Sequence, residues 1–183
     1  MAVDVQPFLG AGVGVSWSKT EENIKTPGYV FIDSGTTKDK DNTTATLANL
    51  KGGAVLDKTH RVSLSYSPTF DNEGNIHNFF VGYDYLIPVN NENRFYIGAH
   101  AGISNFEGKK DMTDYDMSGF SYGAQAGYIY DITRNIEFEL GVIYTKYNLD
   151  TDGKRKSVDG SVAVTNLELK YSVGTFVGIN YKF

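Results

Sequence analysis

The sequence predicts an all-β protein: a closed, eight-stranded antiparallel transmembrane β-barrel in up-and-down meander order, with residues 1–183 forming a single domain. Three observations carry that expectation. From Leu167 to Phe183 the residues alternate, with Leu167, Leu169, Tyr171, Val173, Val177, Ile179, Tyr181 and Phe183 on one face and Glu168, Lys170, Ser172, Gly174, Gly178, Asn180 and Lys182 on the other. A period of two is the period of a strand, and at roughly 3.3 Å per residue this one is long enough to cross a membrane at a tilt. Second, the mean hydropathy is -0.32, and no apolar run approaches the roughly 18 residues of a spanning helix. In lipid every backbone polar group must be paired internally, which leaves a closed barrel as the other spanning solution. Third, 13 Tyr, 11 Phe and 20 Gly among 183 residues suit aromatic girdles outside and small residues inside such a barrel.

The remaining strands follow in order. Val5 to Ser18 sets Leu9, Ala11, Val13, Val15 and Trp17 against Gly10, Gly12, Gly14, Ser16 and Ser18. Its glycines do not form a dinucleotide fingerprint, because Val15 holds the place of the third glycine and polar residues follow where a helix should open. Leu47 to Asp57 places Leu50, Ala54 and Leu56 outside and Asn49, Lys51, Gly53 and Val55 inside. Arg61 to Phe70 opposes Val62, Leu64, Tyr66 and Phe70 to Arg61, Ser63, Ser65 and Ser67. His77 to Pro88 opposes Phe79, Val81, Tyr83, Tyr85 and Ile87 to Asn78, Phe80, Gly82 and Asp84. Arg94 to Phe106, Ser118 to Tyr130 and Asn135 to Tyr147 repeat the pattern, and the terminal strand is the eighth.

The connectors alternate in length. Short ones lie near residues 57–60, 89–93 and 131–135, and long polar ones near 19–46, 71–76, 107–117 and 148–165. Outer-membrane barrels keep short turns in the periplasm and long loops outside, so both termini are expected in the periplasm and the long loops on the cell exterior. Inward positions carry charge of both signs: Lys51, Arg61, Asp84, Arg94, Glu137, Glu139, Glu168, Lys170 and Lys182. An eight-stranded lumen holds side chains and little else, and unpaired buried charge costs several kcal/mol. These residues are therefore expected to form ion pairs that plug the lumen; a narrow ion- or solute-conducting, porin-like path through the same residues is the alternative.

On the terminal strand with Tyr181 and Phe183, the segment Phe79-Phe80-Val81-Gly82-Tyr83-Asp84-Tyr85 and the turn Asp131-Ile132-Thr133-Arg134-Asn135, the chain resembles the small outer-membrane β-barrels that include the OmpA transmembrane domain, OmpX and the neisserial opacity proteins. The resemblance implies a Gram-negative outer-membrane surface protein acting as a monomer. It also implies that Tyr181 and Phe183 belong to the signal read by the barrel-assembly machinery. Met1-Ala2-Val3-Asp4 reads as a mature start with an added Met.

No enzyme, cofactor or metal is expected. His60 sits in a short turn and His77 at a strand start, where each is expected to be solvated. His100 faces inward, but Ser104 lies roughly 13 Å along the strand, too far for a nucleophile and its base. Asp150 and Asp152 begin a calcium-like loop that lacks its later Glu. A net charge of -5 with no basic stripe argues against nucleic acid. Recognition is left to the long loops, where Tyr29 and Phe31 in the first and Lys154, Arg155 and Lys156 in the fourth are candidate contacts. The basic triplet suits lipopolysaccharide phosphates or a solvated tip.

Because the outward face is this apolar, folding should need an amphiphile. Detergent or lipid should convert the chain to a β-rich state whose gel mobility changes on heating, whereas a fully folded soluble monomer in plain buffer would contradict the membrane assignment.

Overall fold

A computed structural model describes residues 4–25, 36–71, 74–109, 116–156 and 162–183, with side chains described throughout these spans except at 20–25, 36–42, 116–117, 150–156 and 162–168. The two-residue period becomes nine strands: β1 (Val5–Lys25), β2 (Thr36–Leu56), β3 (His60–Tyr66), β4 (Thr69–Phe70), β5 (Gly74–Pro88), β6 (Asn93–Gly108), β7 (Asp116–Asp131), β8 (Ile136–Lys156) and β9 (Val162–Lys182). Strands β3 and β4 are two pieces of one stave, parted at Ser67-Pro68, where proline has no N–H to give a ladder. The register runs through the gap without an inserted residue, from Leu50 opposite Tyr66 to Leu47 opposite Thr69. Flanking polar groups stay paired: Ser67 N donates to Asn78 O at 2.8 Å and Ala48 N to Pro68 O at 2.9 Å.

All neighbours are antiparallel and in meander order, and β1 pairs with β9 from Phe8 opposite Lys182 to Lys25 opposite Val164. That pairing closes the sheet into a barrel of eight staves, with no free sheet edge along the shared height of the wall. Leu9, Val13, Leu64, Val81, Ile97 and Ile103 all point outward and are more than half exposed, as a lipid-facing belt requires and a soluble core does not allow. Trp17, Phe70, Phe120, Tyr122 and Tyr144 ring one end of the belt, and Tyr85, Phe95, Tyr130, Tyr181 and Phe183 the other.

Two features depart from the sequence reading. The strands run further than expected: residues 19–25 and 36–46, 74–76, 107–108, 116–117 and much of 148–165 are paired backbone rather than loop. The terminal alternation also breaks. Lys19 pairs with Tyr171 but Thr20 with Leu169, so the register slips by one residue at Lys170. A bulge shifts the phase of every side chain beyond it. Tyr171 still faces out, stacking on Tyr144 at 5.8 Å. Leu169, expected outside, turns inward beside Ile76, Tyr147 and Leu149, and the half-exposed Lys170 leaves the inward series.

The short turns are tied down locally. Asn90 Oδ1 accepts from the N–H groups of Glu92 and Asn93, both at 2.9 Å, and Thr133 Oγ1 from Asn135 and Ile136. Between β2 and β3, Asp57 and Lys58 have φ of 48° and 61°, the two left-handed positions of a type I′ turn. Lys58 pays the Cβ penalty that glycine avoids. Lys58→Gly should therefore raise unfolding stability by about 0.5–1 kcal/mol in detergent, measurable by urea titration; an unchanged or lower midpoint would show that the turn is not under this strain.

Candidate functional site

The candidate site is the lumen, because alternation sends every second side chain of every stave into it. Reading down β5 from the tall end, the end away from the short turns, gives Ile76, Asn78, Phe80, Gly82, Asp84 and Leu86; reading down β8 gives Leu149, Tyr147, Thr145, Ile143, Gly141, Glu139 and Glu137. The lumen is therefore layered. An apolar cluster of Ile76, Tyr147, Leu149 and Leu169 lies toward the tall end. Below it Asn78 and Ser104 are hydrogen-bonded at 2.6 Å, Tyr147 and Ser172 at 3.0 Å, and His100 Nε2 and Thr145 Oγ1 at 3.1 Å. Asn49 Oδ1 and Ser67 Oγ in this layer have no protein partner, an environment suited to internal water.

A charge network fills the middle. Arg61 is the hub: its Nε donates to Asp84 Oδ2 at 2.8 Å, and its Nη1 and Nη2 fork onto Glu139 at 3.2 and 3.1 Å. Lys51 also donates to Glu139, Gln125 Nε2 to Asp84 Oδ1 at 2.6 Å, and Asn180 Nδ2 to Glu139 at 2.7 Å. Two cations meet two carboxylates, so the network is neutral. The guanidinium lies 4.6 Å from the Tyr96 ring centre and 5.8 Å from that of Phe8, cation–π contacts through which it rests on the apolar layer of Phe8, Val55, Leu86, Tyr96 and Ile129. Glycines opposite make room: a Cβ at Gly98 would overlap Asp84 Oδ1, and one at Gly10 would overlap Asn180 Oδ1.

A second neutral cluster sits at the short-turn end. Arg94 and Lys182 face Asp131 and Glu137, with Arg94 to Asp131 at 2.7 Å and Lys182 to both carboxylates at 3.0 Å. Asn180 reaches Glu137 at 3.5 Å as well as Glu139 and so joins the two clusters.

Of the inward charges expected from the sequence, Lys51, Arg61, Asp84, Arg94, Glu137, Glu139 and Lys182 are brought together in these clusters. Lys170 is at the bulge, and the side chain of Glu168 lies outside the described residues, its backbone pairing with Glu21 and Asp150. Tyr29 and Phe31 also lie outside the described residues. Lys154, Arg155 and Lys156 are placed on β8, paired with Val164, Ala163 and Val162, rather than in a loop. Tyr181 and Phe183 face outward and pack edge to face at 5.1 Å. Sequence reasoning missed Asp131, Asn180 and Gln125 as charge partners; Asp131 carries the inward parity of β7 and could have been found by extending that count one step into the turn. The outer histidines are not simply solvated: His60 Nδ1 meets the Tyr83 hydroxyl at 2.7 Å, and His77 meets the Tyr66 hydroxyl at 2.7 Å and Glu107 at 3.7 Å. Pairing of this kind suits polar rings at a lipid interface. Among the described residues no group of three or more potential metal ligands occurs, and Ser104 is turned to Asn78 rather than to His100.

No family model matches the chain, and no curated protein matches it. Solved structures share its fold. Neisserial surface protein A (NspA) superposes with a TM-score of 0.61 at 12% identity, covering 93% of this chain and 97% of that one. The outer membrane protein OprG from Pseudomonas aeruginosa gives 0.55 at 13%, covering 97% and 96%. The outer membrane protease OmpT from Escherichia coli gives 0.52 at 9%, covering 97% of each chain. The architecture is thus that of small outer-membrane barrels, and a protease among its users means that the fold alone does not decide activity.

The charge network predicts a sign pattern. Glu139→Leu leaves Lys51 and Arg61 facing one carboxylate and should cost about 3–5 kcal/mol. Adding Arg61→Met restores neutrality and should recover part of that loss, a coupling of about 0.5–3 kcal/mol in a double-mutant cycle followed by urea unfolding from lipid vesicles. Strictly additive losses would show that the two side chains do not act as a pair.

Proposed function

We propose that the chain is a non-enzymatic outer-membrane protein of a Gram-negative bacterium that serves surface recognition. In this reading the short turns and both termini are periplasmic and the tall end lies outside the cell. The supporting observation is a one-sided extension of the wall. Pairing of β7 with β8 stops at Ser121 opposite Tyr147, and pairing of β2 with β4 stops at Thr46 opposite Phe70. The four strands β2, β1, β9 and β8 stay paired to one another as far as Lys25 with Thr36, Lys25 with Val164, and Lys156 with Val162. From Ser18 to Lys25 this adds roughly 25 Å of strand beyond the Trp17 ring.

On the side of β8 away from β9, the described pairing with β7 ends at Tyr147, and the stretch beyond it, paired with β9, carries Lys154, Arg155 and Lys156. An open strand edge would accept an added strand, and adjacent cations favour an acidic one or the phosphates of lipopolysaccharide. The filled lumen supports a scaffold rather than a channel, since neutral ion-pair clusters and apolar layers alternate along it. Phe183 and Tyr181 at the periplasmic rim suit the expected contact with the assembly machinery.

The test is adherence of bacteria displaying the barrel to cultured animal cells. Replacing Lys154, Arg155 and Lys156 together by Glu should lower adherence about tenfold while heat-modifiable folding is kept, because three ion pairs to an acidic partner, each screened to at most about 1 kcal/mol, reach that factor. Undiminished adherence by the folded triple variant would remove the recognition role from this edge.

A further inference from the structure

The lipid-facing belt is complete on one side of the barrel and notched on the other. Across β1, β9, β8 and β7 the outward row Val13, Val177, Leu140 and Tyr128 runs strand to strand with a full side chain at each step. Across β1, β2, β3 and β5 the matching row is Leu9, Gly52, Leu64 and Val81. Gly52 leaves a gap in it, and the next row, with Leu50 and Phe79, walls the gap from above. The result is a notch of about 470 Å³ in the outer surface.

Packing does not demand glycine here. A Cβ at the inward Gly98 or Gly102 would overlap neighbouring carbonyl oxygens, whereas one at Gly52 would meet nothing nearer than Leu9 Cδ1 at 3.4 Å. The notch is a shallow depression walled by Leu9, Leu50, Leu64, Val81 and the rings of Tyr66 and Phe79, and the four aliphatic residues are each more than half exposed. Leu9 and Leu64 stand two strand spacings apart, about 9.6 Å between backbones. Once their side chains are counted, that leaves a slot about as wide as a single hydrocarbon chain. Gly52 lies four residues before the end of β2 at Leu56, about 10 Å above the short turns on a strand tilted near 45° and within the nearer half of a 30 Å hydrocarbon core.

We propose that the notch at Gly52 is a seat for one acyl chain of a phospholipid in the leaflet nearer the short turns. It is continuous with the lipid-facing belt, so hydrocarbon reaches it without leaving the membrane. A second copy of the protein is the poorer occupant, because a stable protein interface buries about 1,000 Å² or more. The proposal rests on the membrane-spanning reading with the short turns toward the phospholipid leaflet.

The test uses the full chain folded into phospholipid nanodiscs, with methyl-labelled Leu and Val and magnetisation transfer from the lipid tails. Leu9, Leu50, Leu64 and Val81 should show at least twofold stronger transfer than Val13, Val177 and Leu140, and Gly52→Leu should bring the two walls level. Gly52→Ala, which fills less of the notch, should fall between them and serves if the leucine variant does not fold. Equal transfer on both walls in the parent protein, or an excess that survives filling of the notch, overturns the proposal while the barrel remains membrane-embedded. Transfer between differently labelled protein copies at these methyls overturns it in favour of self-association. A chain that does not enter the nanodisc overturns the membrane reading and this proposal with it.

Discussion

Pairing of β1 with β9 is the constraint on which everything else hangs. A backbone amide left unpaired in hydrocarbon costs several kcal/mol, so a spanning sheet must have no edge. Once the sheet closes, each strand has an inside and an outside, and the two-residue period sorts the sequence into a lipid-facing belt and a lumen. The residues exposed on the belt are therefore the chain's most apolar ones, and the buried ones include Arg61, Asp84, Glu139 and Lys182, the inverse of a soluble protein.

Closure at this strand number then dictates what the lumen can contain. The bore is narrow enough that side chains fill it, and polar ones can turn along the wall only if the neighbouring strand yields. Gly10 and Gly98 do so, each paired directly with the residue it makes room for, Asn180 and Asp84 respectively. Neutrality of both clusters follows from the same confinement, because an unmatched charge there has neither bulk water nor a counter-ion. Arg61 suits the central position: its planar fork engages two carboxylates at once while its faces rest near Tyr96 and Phe8, which a lysine could not do.

Much of this was legible in the sequence, for a physical reason. Alternation is a local signal, and in strands such as Phe79 to Ile87 it fixes the facing of each residue without knowledge of its partners. What could not be read depends on two strands at once. The bulge at Lys170 is a mismatch between β9 and its neighbours, and Leu167, Leu169 and Tyr171 look like unbroken alternation from one strand alone. The height of the β1–β2 hairpin was missed likewise: residues such as Glu21, Lys38 and Asp39 have loop-like composition, yet cross-strand pairing holds them in register. Asp131 was passed over because a turn signal and an inward position coincide there. The roles of His60 and His77 depended on Tyr83 and Tyr66, tyrosines on other strands.

On this reading the inward half of the sequence makes a packed core rather than a passage. Planar-bilayer recording of the purified, folded barrel tests it most directly. A lumen filled by the Arg61 and Arg94 clusters and capped by Ile76, Leu149 and Leu169 predicts a silent membrane at moderate voltage and salt. Stable, reproducible unitary conductance from the folded barrel would contradict it.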